Sequence, residues 1–267
     1  MKLKKHMKLL LAKGSIYKTC NGNLMFHGCV PLQKDGNFER FTFGGKTYWG
    51  KNLFDYCEKQ IRTAFSAPVG SPEKQNGQDL IWWLWCGKDS PIFGRSCMTT
   101  FERLLVADEK SHDEPKNYYY SFVENPEVID KILVEFGLPT DEGHIINGHV
   151  PVKTKDGESP VKCGGKVLCI DGGFCKAYQP TTGIAGYTLI YNSYGLRLVS
   201  HGPFTTVEEA VKDNTDILSI SNIFERVKVR KTVADTDIGV EIKEQVEALN
   251  QLLLAYRAGD LPQRERK

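Results

Sequence analysis

Two apolar segments of the chain each end in a histidine next to a glycine and then reach a proline. The first is NLMFHGCVP (23–31), and the second is IINGHVPV (145–152). Short apolar runs of this kind are typical of buried strands, and glycine and proline are typical of the turns that end them. Because loops at strand ends hold side chains rigidly and leave them accessible, the sequence predicts two strands with His27 and His149 at their tips.

Histidines in such positions can bind a metal ion, although a lone histidine is more commonly a hydrogen-bonded structural residue. Among the six histidines, His27 and His149 share an adjacent glycine, which allows a sharp turn, and a nearby proline. Imidazole suits divalent transition metals, and together with carboxylate and water it suits manganese or iron as well as zinc. His144 lies an odd number of positions before His149, so a strand would place the two on opposite faces. We therefore predict that His27 and His149 share one metal ion and that His144 does not bind it.

Composition argues against several classes of partner. The 267-residue chain is 40% apolar and 25% charged, with a formal net charge of +2, so its charge does not favour nucleic acid or a membrane surface. No apolar run approaches the ~20 residues that span a bilayer, and the apolar part of the basic N-terminal segment is too short for a secretory signal. The eight cysteines form no CxxC pair, which favours free, mostly buried thiols over zinc ligands or disulfides. These features predict a cytoplasmic protein.

The order of the predicted elements indicates an α+β fold, in which strands follow one another and helices lie toward the ends. Two short strands are predicted around the NGN turn, followed by a hairpin over 37–50 with a Gly-Gly turn and a helix over 51–66. NPEVIDKILVEFGLP predicts a helix that is capped by Asn125 and stops at Gly137. The remaining predicted strands lie in HIINGHVPV, KVLCIDGG and YTLIYNSYGLRLVSH.

The sequence makes predictions for four further segments. The stretch 66–78 is rich in Pro, Gly and polar residues and predicts a surface loop, and the tryptophans in the following WWLWC predict a core or an interface. The capping-box spacing of Thr206 and Glu209 predicts a helix that continues through the 220s. A last helix, ending at Gly259, carries an apolar stripe that would pack either on its own core or on a partner subunit, as in a homo-oligomer. The stripe consists of Ile242, Val246, Leu249, Leu253 and Tyr256.

Several stretches resemble known metallophosphatases. NLMFHGCVPL resembles a strand tip of the calcineurin-like metallophosphoesterases, GHIINGHVPVK resembles their late Gly-His motif, and VLCIDGGF resembles the Asp-Gly strand that follows it. Five longer runs are similar to the class III fructose-1,6-bisphosphatases of Firmicutes-type bacteria, and this similarity extends over essentially the whole chain. These runs are WLWCGKDSPIFGR, TTFERLL, HVPVKTKDGESPVK, IDGGFCKAYQPTTGIAGYTLIYNSYGL and VADTDIGVEI.

The resemblance implies a fold and a domain organisation. The chain would form the C-terminal half of a calcineurin-like metallophosphoesterase β-sandwich, with inserted and flanking helices. Residues 1–204 would be the C-terminal portion of the metallophosphatase domain, with an inserted α/β segment at about 36–138, and residues 205–267 would be a C-terminal helical segment.

The resemblance also implies an activity and a metal. Members of this family hydrolyse the 1-phosphate of fructose 1,6-bisphosphate to give fructose 6-phosphate in gluconeogenesis, with manganese as the usual activating ion. His27 and His149 match the positions of two ligands to one metal of a dinuclear pair. The chain has GHVP where many relatives have Gly-His-x-His, a departure shared with protein phosphatases of the superfamily. Asp171 would accept a hydrogen bond from a metal-bound histidine or, alternatively, cap the Gly172–Gly173 turn.

A bisphosphate also needs cationic side chains for the phosphate that is not cleaved. Candidates, by their charge and by their place in loops that resemble those of the family, are Lys88, Arg95, Arg103, Lys153 and Lys162. The alternative for each of them is an ordinary cation on the protein surface.

The remaining ligands of the family's metal site come from motifs that do not occur in this chain: Asp-x-His, Gly-Asp-x-x-Asp-Arg and Gly-Asn-His. We therefore expect a C-terminal fragment of a fructose-1,6-bisphosphatase that is inactive alone. In one alternative the chain is half of a split enzyme whose N-terminal half is supplied by another chain, or a non-catalytic remnant that acts only by binding a partner. In the other it is a different metallophosphoesterase, acting on nucleotides or phosphoproteins.

Overall fold

The computed structural model of the protein describes residues 2–184, 186–202, 206–213, 219–223, 227 and 229–262. The strands are β1 Tyr17–Cys20, β2 Asn23–Phe26, β3 Phe41–Phe43, β4 Lys46–Tyr48, β5 His144–Asn147, β6 Val161–Lys162, β7 Val167–Cys169, β8 Gly186–Asn192, β9 Gly195–His201 and β10 Ser219–Ile223. The α-helices are α1 Lys2–Lys13, α2 Gly50–Ser66, α3 Pro72–Cys86, α4 Thr100–Leu105, α5 Tyr119–Phe122, α6 Pro126–Glu135, α7 Gln179–Thr182, α8 Val207–Asp213 and α9 Asp237–Ala258. The prediction of a mixed α+β fold is confirmed, whereas the calcineurin-like sandwich stays a prediction.

The largest sheet among the described residues has five strands in the order β1-β2-β5-β7-β6. Its three central strands, β2, β5 and β7, run parallel, and the edge strands β1 and β6 pair antiparallel with their neighbours. The connection from β2 to β5 contains the β3–β4 hairpin and helices α2 to α6. Because β2, β5 and β7 run in the same direction, their C-terminal ends meet at one edge, where ligands bind in sheets of this type.

The main hydrophobic core lies between this sheet and helices α2 and α6. Leu24 and Phe26 alternate along β2 and therefore point to the same face. Phe54 packs against them from α2, and the buried stripe of α6 contributes residues at helical spacing. This packing positions the ends of β2 and β5, which the candidate site uses.

Helix α6 shows how strongly local sequence specifies one element. The Asn125 side chain accepts hydrogen bonds from the backbone N–H groups of Glu127 (3.0 Å) and Val128 (3.2 Å), and Pro126 occupies the first turn. Replacing Asn125 with alanine should lower the free energy of unfolding by about 1 kcal/mol, because two helix N–H groups lose their acceptor. Urea denaturation would measure this loss. Asn125→Asp is the matched control, since it keeps the acceptor; an equal loss in both variants would contradict the capping role.

The prediction of a loop over 66–78 is wrong for its second half, because α3 begins at Pro72. The Ser71 hydroxyl accepts from the Lys74 N–H (3.3 Å), and proline is well suited to the first helical turn. Gly77 lies inside this helix because it packs directly on α2: an added Cβ would lie 2.0 Å from the Cβ of Ala64. The three tryptophans of α3 differ in burial. Trp83 packs against a second hydrophobic cluster, which includes residues of α2, whereas Trp82 and Trp85 are exposed.

The predicted helix after Thr206 is shorter than expected. The Thr206 hydroxyl accepts from the Glu209 N–H (3.1 Å), which confirms the predicted cap. The described helix covers Val207–Asp213, and a strand, β10, occupies part of the region predicted to be helical, within a three-stranded sheet of order β10-β9-β8. The sequence SISNI of this strand contains two β-branched isoleucines, which favour a strand. Residues 214–218 lie outside the described residues.

The chain divides into two compact units, Met1–Thr188 with Val199–Ser221 and Leu189–Leu198 with Asn222–Lys267. In the second unit, α9 begins after Thr236, whose hydroxyl accepts from the Gly239 N–H (3.2 Å), and ends at Gly259 with φ +82°, as predicted. Every side chain of its apolar stripe is exposed. Packing of the stripe on its own core is therefore wrong, and packing on a partner subunit stays a prediction.

The structure confirms only part of the prediction of free, mostly buried cysteine thiols. All eight cysteines are free thiols, as expected, but only Cys29, Cys57 and Cys169 are buried. The expectation that most are buried is wrong, because several, such as Cys97 and Cys175, lie in loops at the surface. Within the described part of the chain, no helix combines the length and apolarity needed to cross a membrane.

Candidate metal centre

Three side chains with metal-binding or acidic groups follow the three parallel strands of the large sheet. His27 follows β2, His149 follows β5 and Asp171 follows β7. The main-chain pairing of β2 with β5 continues past the strands, since the N–H of Gly148 donates to the carbonyl of His27 at 2.9 Å. The candidate site therefore lies at the C-terminal edge of the sheet.

The two histidines predicted to lie together are in direct contact. His27 Nε2 lies 3.0 Å from His149 Nδ1, and the ring centroids are 4.9 Å apart at an interplanar angle of 71°. In the protein without metal one ring donates a hydrogen bond to the other, with the direction set by the tautomers. Two nitrogens that each bind one cation at about 2.1 Å and at a right angle lie about 3.0 Å apart. The separation of the two rings therefore fits a single divalent cation.

His149 adopts an uncommon backbone conformation. Its φ is +66°, and the N–H of Val150 donates to the carbonyl of Gly148 at 2.8 Å, which forms a three-residue γ-turn centred on the histidine. A γ-turn with positive φ is the rare, strained form, and such strain concentrates at functional sites. The turn directs the ring back toward His27, and Pro151 restricts the chain immediately after it.

The loop after α3 supports the tip of β2. The N–H of Cys29 donates to the carbonyl of Pro91 at 2.9 Å, and a Cβ added at Gly28 would lie only 2.5 Å from that same carbonyl oxygen. Glycine is therefore required at this position for the loop to approach. Phe93 of the same loop places its ring edge-on to the His149 ring, at 6.4 Å between centroids. Gly28, next to His27, thus allows the backbone of the loop after α3 to lie directly against the end of β2.

The electrostatic surroundings keep both imidazoles neutral near neutral pH. Burial lowers the pKa of His27 below its usual value, and the negative charge of Asp171 opposes this only in part. Burial likewise lowers the pKa of His149, the charge of His27 lowers it further, and the Phe93 backbone and Asp171 act in the opposite direction. A group with a lowered pKa loses its proton at lower pH, and neutral imidazole is the form that binds metals.

Asp171 caps a turn, which is the structural role that the sequence offered as the alternative to contact with a histidine. Its Oδ1 accepts a hydrogen bond from the N–H of Gly173 at 3.0 Å and so caps the Gly172–Gly173 turn. Its charge nevertheless acts on both histidine rings, as their pKa values indicate. A role for Asp171 in orienting a metal-bound histidine stays a prediction.

The described residues supply only part of a metal site. No group of three or more His, Cys, Asp or Glu side chains in this part of the chain is arranged to hold a metal ion. The candidate ligands that the structure brings together in this part of the chain are the imidazole nitrogens of His27 and His149. A dinuclear phosphoesterase centre needs further ligands.

The two predicted arginines lie together around an acidic residue. Arg95 Nη1 lies 3.7 Å from Glu114 Oε2, and Arg103 Nη2 lies 3.8 Å from the same oxygen. Arg95 also donates to the Glu114 carbonyl, and Arg103 donates to the carbonyl of His112. Both guanidinium groups therefore stabilise the segment between Thr99 and Glu114.

The three predicted lysines lie in different surroundings. Lys162 is partly buried, pairs with Glu158 at 2.7 Å and lines a cavity that also contacts Gly148. Lys153 is exposed, and its backbone N–H donates a hydrogen bond to Glu158 Oε2 (3.0 Å). Lys88 is exposed on the loop after α3. Of the five basic candidates, Lys162 is therefore the one in a cavity that also contacts the chain beside His149.

Lys116 and Asn147 are among the residues of that cavity that the sequence analysis did not single out. Lys116 lies in the polar stretch EPKNYYY, and its position before a run of aromatic residues was the available signal. Asn147 ends β5 in IING, where a polar residue after buried isoleucines was the corresponding signal.

Comparison with known proteins identifies relatives of the whole chain. A family model described as Firmicute fructose-1,6-bisphosphatase matches residues 1–258. A protein of Clostridium novyi (strain NT) named "Fructose-1,6-bisphosphatase class 3" is 52% identical over 266 residues, which are 100% of this chain and 40% of that protein. A protein of the same name from Clostridium botulinum (strain 657 / Type Ba4) is 51% identical over 258 residues, which are 97% of this chain and 39% of that protein.

The chain spans about 40% of the length of the curated relatives that it matches. No solved structure gives a significant match to it.

Proposed function

We propose, because the chain belongs to the family of Firmicute fructose-1,6-bisphosphatases, that it forms part of a manganese-dependent enzyme that hydrolyses fructose 1,6-bisphosphate to fructose 6-phosphate. The single observation that carries this proposal is the 3.0 Å separation of His27 Nε2 and His149 Nδ1 at the C-terminal edge of a parallel sheet. Within the proposal, the sheet is part of a calcineurin-like metallophosphoesterase sandwich.

The role of the chain's own residues in this reaction is to hold and orient the metal. His27 and His149 would supply two neutral nitrogen ligands, and the γ-turn at His149 would keep its ring aimed at His27. A divalent cation bound there would lower the pKa of a coordinated water and neutralise charge on the phosphoryl group. The rigid support from the loop after α3 would keep the ligand pair in place during turnover.

The remaining ligands are proposed to come from the part of the family's sequence that this chain does not match. Two imidazoles hold a cation weakly and supply no bridging carboxylate, so the described residues are not expected to catalyse the reaction alone. The proposal therefore includes a companion segment, on the same polypeptide or on another chain. It also includes a cytoplasmic location, which the eight free thiols support because disulfides are rare in reducing compartments.

The test is a chimeric enzyme. The segment of the Clostridium novyi relative that matches this chain is replaced by this chain, and phosphate release from fructose 1,6-bisphosphate is measured with and without Mn²⁺. We expect Mn²⁺-dependent turnover, because this chain would restore the two histidine ligands to an otherwise complete site. The unaltered relative serves as the positive control.

Two outcomes would contradict the proposal. An inactive but folded chimera, beside an active relative, would favour a non-catalytic remnant. Faster hydrolysis of a nucleotide or a phosphoprotein than of the sugar bisphosphate would favour a different metallophosphoesterase.

A further inference from the structure

A cavity of about 90 Å³ lies beside the candidate metal centre. Its wall includes Asn147 and Gly148, the residues directly before His149, together with Lys162 of β6 and Lys116 and Tyr120 from the segment before α6. This volume is several times the ~10–15 Å³ that a single water needs. It therefore admits a group of several heavy atoms, but not a whole sugar bisphosphate.

The charged groups of the cavity leave an excess of positive charge. Lys162 pairs with Glu158 at 2.7 Å, and the other carboxylate oxygen of Glu158 accepts from the backbone N–H of Lys153. The ammonium of Lys116 makes no ion pair among the described residues; it lies 5.8 Å from the centroid of the Tyr120 ring, in a cation–π contact. Two lysines and one glutamate thus give the lining a net charge of one positive unit.

The surroundings of Lys116 make an anion favourable there. Partial removal from water lowers the pKa of Lys116, the positive charge of Arg95 lowers it further, and the negative charge of Glu158 acts in the opposite direction. The two lowering effects are a cost of holding a cation at this place, and a bound anion would offset them.

One residue of the cavity wall, Asn147, has a buried polar atom without a hydrogen-bond partner. Asn147 is only 4% exposed, and its Nδ2 donates to the carbonyl of Gly28 at 3.3 Å, so the orientation of its amide is defined. Its Oδ1 has no hydrogen-bond partner in the described part of the chain. Buried acceptors are almost always satisfied, and a ligand hydroxyl or a protonated phosphate oxygen would satisfy this one.

We propose that this cavity is an oxyanion subsite that binds one phosphate group, with Lys116 and Lys162 as its cationic residues. Lysine is a common phosphate-binding residue, and the unsatisfied Asn147 Oδ1 would accept from a hydroxyl of the same ligand. That the phosphate belongs to a sugar bisphosphate rests on the proposed function. In that case one phosphate lies at the histidine pair and the other lies here, beginning one residue away from His149.

The experiment measures binding of inorganic phosphate to the full 267-residue chain without metal, by isothermal titration calorimetry. Lys116→Gln and Lys162→Gln should each raise the Kd about tenfold, which corresponds to about 1.4 kcal/mol. Lys34→Gln is the matched control, because Lys34 is an exposed lysine outside the cavity lining and is not one of the candidate phosphate-binding residues, and its Kd should equal that of the unaltered chain. Far-UV circular dichroism verifies that the variants are folded; Lys116 is exposed, so its replacement is compatible with the fold.

The outcomes separate this inference from the proposed function. Absence of phosphate binding, or equal Kd values in all three lysine variants, would overturn the subsite. Fructose 1,6-bisphosphate should displace inorganic phosphate; binding of free phosphate that the sugar ester does not displace would overturn its role as a substrate subsite. The measurement is made without metal and on variants that keep both histidines, so a failure of the metal proposal does not affect it.

Discussion

Replacing His149 with alanine is expected to lower kcat/KM of the chimeric enzyme at least about 100-fold. Removing residues that merely orient a metal ligand commonly costs 10–100-fold in metal affinity or activity, so the loss of a ligand should cost at least as much. In the chain by itself, Mn²⁺ should broaden the imidazole proton signals of His27 and His149 together in an NMR titration, because the two rings are in contact. In His149→Ala, the broadening at His27 should disappear, since a lone imidazole binds Mn²⁺ weakly.

The matched control is His144→Ala. His144 is the first residue of β5, at the end of the strand opposite to the one that precedes His149. Its replacement should leave both the turnover of the chimera and the broadening at His27 unchanged. A His149→Ala chimera with the kcat/KM of the parent, or Mn²⁺ broadening at His144 in preference to the histidine pair, would refute the assignment of the ligands.

Replacing Phe54 with alanine is expected to lower the free energy of unfolding by about 3–5 kcal/mol. Phe54 is 1% exposed and lies at the centre of an aromatic group in the main core, with edge-on or tilted contacts to Tyr17, Phe26 and Phe136. Truncation would leave a cavity between α2 and β2 that a close-packed interior fills only in part. Because whole domains are stable by only about 5–15 kcal/mol, this single change should remove a large part of the stability. Urea denaturation followed by circular dichroism would measure it.

Phe101→Ala provides the comparison for Phe54→Ala. Phe101 is 73% exposed on α4, so the same chemical change there should alter the free energy of unfolding by at most about 0.5 kcal/mol. Equal effects of the two substitutions would show that the core does not depend on Phe54 as described.

The elements that were predicted correctly are those whose signals are local. Asn125 and Pro126 mark the start of α6, Gly259 marks the end of α9, and the Gly-Gly turn joins β3 to β4, because caps and turns depend on the backbone preferences of a few neighbouring residues. The same rules failed for 66–78, where glycine was read as a loop signal. Gly77 is instead helical, because its lack of a side chain lets α3 pack on Ala64, and that requirement comes from another helix.

The candidate site likewise has features that local sequence predicted and features that it did not. A histidine beside a glycine at the end of an apolar run was enough to predict two strand tips. The strained γ-turn at His149 and the approach of Pro91 to Gly28 could not be predicted, because each depends on where a neighbouring strand or loop lies. Lys116 was missed for the same reason: the aromatic run that follows it in the sequence does not show that the segment before α6 brings this lysine to the cavity.

By itself the sequence determined many of the local elements, the family and the two histidines of the candidate site. Only the tertiary structure decided that these histidines, separated by 122 positions in the chain, lie 3.0 Å apart, and that a lysine-lined cavity begins next to them. The physical reason is the parallel pairing of β2 with β5, in which Leu24 faces Ile145 and Met25 faces Ile146. The register of such a pair is set by packing between distant segments, so no short stretch of sequence contains it.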